Sequence, residues 1–329
     1  MTGARGTAVR YGFLALMAGL VVVFGLLEPG FLTVPSGVFI LQSVAITGIL
    51  ALGVTCTLVV GGFDLSIGAV ATSALMLAAY VMVVWEMGAA AAVLLCLAMG
   101  AGVGLANGLL IVRMRVPDLL ATLGMMFVLL GLQRIPTEGN SIATGMALPD
   151  GTAAAGTFAP GFLALGRLRL WDVLPLSVVV LLAIAVVVWA FLELTRHGRL
   201  MYAIGSNAQA AALAGTNVDR YRVAAYVISG TLASVGGILL AARLGRGDVA
   251  SGNNLLLDAV AAALIGYAVL GASRPNAFGT AAGALFVGIL LQGLTMLNAP
   301  YYTQDFVKGA VLVAALVFTF ALTGRTRRA

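Results

Sequence analysis

Long apolar stretches alternate with short polar or glycine- and proline-bearing breaks along nearly the whole chain. A hydrophobic run of about 17 to 25 residues with few charges is long enough to cross a bilayer as a helix. Ten such runs are predicted, at 11–27, 38–60, 65–85, 89–112, 119–135, 173–193, 223–242, 255–271, 276–298 and 305–323. The pattern predicts an all-α polytopic membrane protein, a single transmembrane domain over 1–329 with about ten helices in one bundle, some of which can be discontinuous.

The arginines distinguish the two sides of the membrane. If the N-terminus is cytoplasmic, most cations fall on the same side as it, which the positive-inside rule favours. Those cations are Arg5, Arg10, Arg113, Arg115, Arg196, Arg199, Arg220, Arg222, Arg274, Arg325, Arg327 and Arg328. Both termini are therefore expected in the cytoplasm. Two longer polar stretches interrupt the runs. The stretch 136–172 is an extracytoplasmic connector, either simply solvated or involved in receiving an extracellular partner, and 194–222 is a cytoplasmic loop.

Composition removes several classes of function. With 61% hydrophobic and 9% charged residues, a soluble fold is excluded. One histidine and two cysteines, Cys56 and Cys96 in apolar runs, leave no structural zinc site and no disulfide framework. The one lysine, Lys308, is followed by Gly309, so the chain has no P-loop for ATP hydrolysis. The scattered arginines form no basic face, so no nucleic-acid partner is expected, and neither a metal nor a cofactor is expected in this chain.

Glycines recur at helical spacing. Gly100, Gly104 and Gly108 lie four residues apart, and Gly279 and Gly283 repeat that spacing. Small residues on one face let two helices pack backbone to backbone. These positions predict tight helix packing.

The sequence Gly61-Gly62-Phe63-Asp64-Leu65-Ser66 separates two apolar runs. A carboxylate inside a bilayer is costly, but glycines can break the helix there and free backbone N–H groups for it. Asp64 is therefore interpreted as the N-cap of the third run, with direct contact to the solute and a plain cytoplasmic turn as the alternatives. Gly61, Gly62, Asp64 and Ser66 are candidates for the substrate path.

Other polar residues stand in or beside the apolar runs. Asp118 is interpreted as a first-turn carboxylate of its helix, and Asp258 as a first-turn or capping residue. Asn107 predicts an interhelical hydrogen bond, and with Thr122 and Gln133 it offers the uncharged groups that a polyol pathway needs. No row of acidic residues stands at mid-span, as an ion-driven carrier would often show.

The cytoplasmic loop contains an Ala-rich segment, Asn207–Gly215, with helix-forming composition and a glycine as its C-cap. A short helix between two spans suits docking to a peripheral protein. An interfacial helix on the lipid surface is the alternative, although it would want a larger apolar face and more flanking charge.

Four segments together resemble permease subunits of ribose-type ATP-binding cassette importers: GGFDLSIG at 61–68, VPDLLATLGMM at 116–126, GRLMYAIGSNAQAAALAG at 198–215, and the C-terminal part from Tyr226 onward. The resemblance implies a multi-pass protein of the bacterial cytoplasmic membrane. It also implies partners: a second permease copy in a homo- or heterodimer, ATPase subunits that bind ATP and magnesium, and an extracytoplasmic solute-binding protein. The coupling residues it implies are Gly205, Asn207, Gln209, Ala211, Leu213 and Gly215. The chain departs from that family's usual charges at Ala208, Gln209 and Ala212.

The expected function is thus translocation of a sugar or sugar-like solute by alternating access, without covalent chemistry in this chain. A signalling furanose, a nucleoside or a branched-chain amino acid are alternative solutes within the same importer class. A secondary carrier, or a channel or structural subunit, would show no dependence on a partner ATPase.

Overall fold

The computed structural model describes residues 4–147, 151–252, 254–269, 274–300, 302–311 and 313. Most of them are helical. The α-helices are α1 (Ala4–Leu27), α2 (Val34–Val59), α3 (Ile67–Ala79), α4 (Ala89–Val112), α5 (Asp118–Leu132), α6 (Pro160–Arg167), α7 (Leu176–Trp189), α8 (Arg196–Ser206), α9 (Ala208–Leu213), α10 (Val218–Leu244), α11 (Leu255–Val269) and α12 (Ala277–Met296).

Seven helical segments of the described residues are long and apolar enough to cross a membrane: Val34–Val59, Ile67–Val84, Ala89–Val112, Asp118–Thr137, Leu176–Leu194, Val218–Leu244 and Ala277–Met296. Each coincides with a predicted span. Two further predicted spans are shorter apolar helices, Gly12–Leu27 and Leu255–Tyr267. The tenth predicted run, 305–323, is helical over 302–311 and at 313, and its remainder lies outside the described residues. The polytopic helical class is therefore confirmed.

Two of the spans end in a wider turn than the sequence indicated. α3 continues as a π-helical turn, Tyr80–Val84, and α7 as another, Ala190–Leu194. Such turns carry an extra residue per turn and rotate the side chains that follow them.

The core lies around α2, α3 and α10. α10 packs against α4, α2 and α3, while α11 and α12 pair with each other and lie against α2. α2 and α3 are buried along most of their length, whereas α4 and α5 expose most of theirs, including Leu94 and Phe127. The described bundle thus has a buried centre and an apolar outer face that suits lipid or another subunit.

The predicted glycine faces form the closest helix contacts. A Cβ on Gly104 would overlap the Tyr226 carbonyl of α10, and one on Gly100 would overlap the Gly230 carbonyl. Gly283 meets the Ala262 carbonyl of α11 in the same way. The prediction of backbone-to-backbone packing is confirmed at these positions.

The 136–172 stretch has structure of its own. It contains α6 and the first strand of a two-stranded antiparallel hairpin, β1 (Arg169–Leu170) with β2 (Leu174–Pro175). Ile142 exchanges both backbone hydrogen bonds with Gly247, each 2.8 Å long, so this stretch is pinned to the chain beyond α10. Composition alone had indicated only a Gly- and Ala-rich connector.

The predicted role of Asp64 as an N-cap is wrong in position. α3 begins at Ile67 with Ser66 before it, so Asp64 lies three residues ahead of the helix and closes a turn instead. The Gly61-Gly62 break between α2 and α3 is confirmed, as are the first-turn positions of Asp118 and Asp258. Asp258 also forms an ion pair with Lys308, with 3.4 Å between Oδ1 and Nζ, that local sequence did not indicate.

Candidate functional site

The connection between α2 and α3 is the first candidate site. α2 ends where Gly62 N–H donates to the Thr57 carbonyl at 2.9 Å, and Gly61 adopts a φ of 76°. That left-handed conformation is favourable for glycine and costly for most other residues. The chain then runs through Phe63, Asp64 and Leu65 without helical structure before α3 begins. We call residues 61–66 the break segment.

Asp64 lies at the centre of the break segment and is only 1% exposed. Its Oδ1 accepts hydrogen bonds from Ser66 N at 2.9 Å and Ser66 Oγ at 2.6 Å, and its Oδ2 accepts one from Ser229 Oγ of α10 at 2.8 Å. A buried carboxylate is tolerated when such donors replace its water. Asp64 therefore fastens the break segment to α10.

Asn107 extends this cluster to α4. Its Nδ2 donates to Ser66 Oγ at 2.9 Å, so the predicted interhelical hydrogen bond is present. Ser66, Ser229 and Asn107 are all buried. The cluster thus joins α4 and α10 to the start of α3.

The N-terminal end of α5 holds the break segment from the other side. Asp118 Oδ2 accepts from Phe63 N at 2.9 Å, and Thr122 Oγ1 accepts from Leu65 N at 3.1 Å. Both N–H groups have no helical partner because the helix is interrupted here. The sequence suggested Thr122 as a polar group in the path and Asp118 as a first-turn residue, but gave no sign that both bind the break segment.

A cavity of about 420 Å³ opens beside Gly61 and Gly62. Arg115, Asp118, Asp219 and Arg222 line it, at the end of the bundle where α4 ends and α5 and α10 begin. We call this the arginine-rich end. The break segment therefore stands between a charged cavity and the buried Asp64 cluster.

Gln133 does not join the other predicted path residues. It follows α5, some 15 residues beyond Asp118, or about 22 Å along a helix. Its Oε1 lies 3.4 Å from Ser73 Oγ, and its Nε2 has no hydrogen-bond partner among the described residues. A buried unpaired amide costs about 1–3 kcal/mol. The structure therefore separates Gln133 from Gly61, Gly62, Asp64, Ser66, Asn107 and Thr122, which lie together.

The predicted short helix in the 194–222 loop is α9, and a second helix, α8, precedes it. Asn207 caps α9, because its Oδ1 accepts from Ala210 N at 3.0 Å. Gly215 follows the helix with a φ of 82°, and Thr216 N closes the turn on the Ala211 carbonyl at 3.0 Å. This is the glycine-terminated end that the sequence predicted.

α9 exposes one large apolar side chain. Leu213 is 91% exposed, and Gln209 is also exposed, whereas Ala211 is buried where α9 packs on α8 and α10. Leu213 therefore stands on the outer side of α9, outside the spans.

α8 rests directly on the end of α2. A Cβ on Gly205 would overlap the Val59 carbonyl oxygen, and Gly61 faces Gly205 across the same contact. The candidate coupling helices and the break segment are therefore in backbone contact, a relationship that sequence analysis missed because the two segments lie far apart in the chain.

The chain before α12 also holds α8. Tyr202 Oη donates to the Pro275 carbonyl at 2.7 Å, and the Arg274 guanidinium lies over the Tyr202 ring at 4.5 Å and pairs with Glu193 at 2.7 Å. Burial and the nearby Glu193 carboxylate raise the pKa of Tyr202 above its usual value. Tyr202 thus stays neutral and keeps its donor.

Within the described ranges, no group of three or more His, Cys, Asp or Glu side chains could hold a metal ion. Cys56 and Cys96 are both buried free thiols. Among the described residues, the site is built from hydrogen bonds and charged side chains.

Comparison with known proteins identifies the class of chain that carries this site. Residues 37–316 match the family described as branched-chain amino acid transport system / permease component. The chain belongs to this permease family. It is 33% identical to the ribose import permease protein of Escherichia coli over 91% of this chain and 89% of that protein. It is 35% identical to the ribose import permease protein of Bacillus subtilis, over 91% and 88%.

A third relative is the galactose/methyl galactoside import permease protein of Salmonella typhimurium, with 30% identity over 93% of this chain and 92% of that protein. No solved structure matches the chain significantly. The chain is thus a multi-pass permease of the ribose type, as its sequence segments indicated.

Proposed function

We propose that this chain is the transmembrane subunit of an ATP-binding cassette importer that moves a sugar across the bacterial cytoplasmic membrane. The observation that carries the proposal is the match over about nine-tenths of the chain to permeases named for ribose and galactose. Partner subunits bind ATP and magnesium and hydrolyse the ATP. The chain itself needs no cofactor.

The arginine-rich end faces the cytoplasm, and both termini lie on that side. Support comes from Arg113, Arg115, Arg196, Arg199, Arg220 and Arg222, which flank the helix ends and α8 at this end. Positive residues are retained on the cytoplasmic side during insertion. The 136–172 connector with α6 and the hairpin then faces outward, where a solute-binding protein delivers the sugar.

The α8–α9 pair receives the partner ATPase. Leu213 projects from it, and Gly205 passes any displacement of α8 to Val59 and the break segment. The coupling residues are Gly205, Asn207, Gln209, Ala211, Leu213 and Gly215. A second permease copy completes the path, and ATP binding switches the pair between outward-facing and inward-facing states.

The break segment holds the near-cytoplasmic part of the path. Asp64 and Ser66 are fully engaged by Ser229 and Asn107, which favours a role in fixing the segment over direct contact with the sugar. Gly61 and Gly62 let the chain turn there, and Thr122 anchors it to α5. A movement of this segment would open or close the neighbouring charged cavity.

A sugar is favoured over the other solutes of this importer class. The family description names branched-chain amino acid transport, but the three relatives named above carry sugar names. A signalling furanose or a nucleoside contains a sugar ring and is the second candidate. The binding protein sets most of the choice among them.

Reconstitution tests the proposal. The chain is purified with its partner ATPase, placed in lipid vesicles, and supplied outside with its binding protein and radiolabelled D-ribose or D-galactose. We expect uptake only when ATP is trapped with the ATPase. Uptake that persists without ATP and collapses with an uncoupler would instead assign a secondary carrier, and passive equilibration unaffected by either would assign a channel.

A further inference from the structure

A second cavity, of about 310 Å³, lies between α3, α4 and α5 at the end opposite the arginine-rich end. Its walls are largely apolar and include Met76, Leu77, Met99 and Leu129. Three polar or aromatic side chains converge on it besides Gln133: Ser73, Tyr80 and Trp85. We call it the Gln133 pocket. It is distinct from the Asp64 cluster, which sits at the other ends of the same helices.

The π-helical turn after α3 shapes this pocket. Trp85 N donates to the Tyr80 carbonyl at 3.0 Å, which places the two residues one wide turn apart. Their rings meet edge to face with centroids 5.2 Å apart. Wide turns of this type occur often at functional sites, because they reposition a side chain that a regular helix would turn away.

Gln133 gives the pocket an unused hydrogen-bond donor. The residue is 9% exposed, and its Nε2 has no partner among the residues that the structure describes. Its Oε1 is already near the Ser73 hydroxyl. Gln133 lines the cavity while its Nε2 is buried in the cavity wall, so a ligand with an oxygen acceptor would satisfy this donor once the amide turns toward it.

The connector contributes Ile142 to the lining of the pocket. The paired backbone bonds between Ile142 and Gly247 fix this residue to the chain that follows α10. A mostly apolar cavity with a few converging polar groups is the usual form of a small-molecule site, and its volume falls at the lower end of the roughly 300–1,000 Å³ range of such sites.

We propose that the Gln133 pocket is a solute subsite in each permease subunit, which takes one monosaccharide ring on the extracytoplasmic side of the path. A ring or hydroxyl oxygen accepts from Gln133 Nε2, and the apolar C–H face of the sugar packs on Tyr80 and Trp85. This inference rests on the proposed function and adds a site to it. The few polar contacts make binding weak, as a transport path requires if the solute is to leave again.

A lipid ester carbonyl could satisfy the same donor while its acyl chain fills the apolar walls. A single sugar ring suits the small volume better than a diacyl lipid does. Sugar titration and native mass spectrometry distinguish a sugar oxygen from a lipid ester carbonyl as the group that accepts from Gln133.

Because Trp85 lines the pocket, its fluorescence emission can be used to follow ligand binding there. In a chain with Trp171→Phe and Trp189→Phe, which leaves Trp85 as the sole tryptophan, the purified permease is titrated in lipid nanodiscs with D-ribose and, separately, D-galactose. We expect a saturable change in Trp85 emission for at least one sugar, shifted to at least tenfold higher concentration by Gln133→Leu. No saturable response, or an equal response in the Gln133→Leu chain, would overturn the assignment.

Transport separates failure of the pocket from failure of the proposed function. In vesicles holding the complete importer, Gln133→Leu should lower sugar uptake at least tenfold, while thermal stability is not reduced and ATPase activity stays near that of the unsubstituted chain. Leu95→Ala, on the exposed side of α4, is the matched control and should leave uptake unchanged. If the unsubstituted importer shows no ATP-driven sugar uptake, the proposed function fails. If it does and Gln133→Leu transports equally well, only the pocket assignment fails.

Native mass spectrometry tests whether a lipid occupies the Gln133 pocket instead of a sugar. A phospholipid that remains bound to the unsubstituted chain and is lost in Gln133→Leu, with no sugar response at Trp85, would assign the pocket to lipid and overturn the proposal.

Discussion

Gly205 of α8 packs so closely against Val59 at the end of α2 that a Cβ atom at position 205 would overlap the Val59 carbonyl oxygen. The first residues of the break segment follow immediately, and Gly61 faces Gly205. Two backbones in direct contact cannot absorb a displacement by a change of side-chain rotamer, because no flexible side chain stands between them. A displacement of α8 toward α2 would therefore press on the end of α2, next to the break segment.

Gly104→Ala should separate α4 from α10. The added methyl group would overlap the Tyr226 carbonyl and crowd Val227, so we expect the free energy of unfolding to fall by about 1–3 kcal/mol. Chemical unfolding in mixed detergent micelles measures it. Gly102→Ala, in the same helix but facing open space, is the control and should be neutral or slightly stabilising. Equal stability of the two variants would contradict close packing of α4 on α10 at Gly104.

Asp64→Ala should destabilise the protein. It leaves the Ser66 N–H and the Ser66 and Ser229 hydroxyls without their buried acceptor, and we expect a loss of about 3 kcal/mol in unfolding free energy. Asp64→Asn retains one acceptor oxygen and should lose less.

The same variants decide the role of Asp64. If Asp64→Asn keeps its stability but stops uptake, the carboxylate acts on the solute and its assignment as a fastening group is wrong. If uptake falls only in proportion to the folded fraction, the fastening role is supported. Thermal unfolding and vesicle uptake, measured on one preparation, give the stability and the uptake rate of each variant.

Leu213→Ala should weaken binding between the permease and the proposed partner ATPase. The side chain is almost fully exposed, so its removal changes no internal packing and should leave thermal unfolding unchanged. We expect about tenfold less ATPase retained on tagged permease after washing, which mass spectrometry quantifies. Leu26→Ala on α1, 80% exposed, is the control. Equal retention in both variants would place the docking surface elsewhere.

Asn207→Ala should fray α9. The Asn207 side chain caps the helix by accepting from Ala210 N, and loss of a cap costs about 1 kcal/mol. A helix this short has little other support, so hydrogen exchange at 208–213 should quicken and uptake should fall. The exposed Gln209→Ala change keeps the cap and should leave the exchange at 208–213 unaltered. Unchanged exchange in Asn207→Ala would show that tertiary packing alone holds α9.

Features that depend on local pattern were predictable from the sequence. The spans follow from apolar run length, the α2–α3 break from Gly61-Gly62, and the end of α9 from Gly215. The packing faces follow from glycines at four-residue spacing. Each is fixed by residues that are neighbours in the chain.

Features that depend on distant residues were not predictable. Asp118 binds Phe63, Gly205 meets Val59, and Lys308 pairs with Asp258 only because the bundle brings their helices together. The turn that joins Tyr80 to Trp85 was missed for another reason. A π turn has the same apolar composition as a regular helix and leaves no sign in the pattern.

Coupling through the contact between Gly205 and Val59 is tested most directly by the number of sugar molecules taken up per ATP hydrolysed. This ratio is measured in vesicles that hold the complete importer and compared between the unsubstituted chain and Gly205→Ala. Ser206→Ala, at the adjacent exposed position, serves as the control. We predict that Gly205→Ala keeps ATP hydrolysis within about twofold but lowers the ratio at least tenfold, because α8 no longer seats on Val59. An unchanged ratio would contradict coupling through this contact.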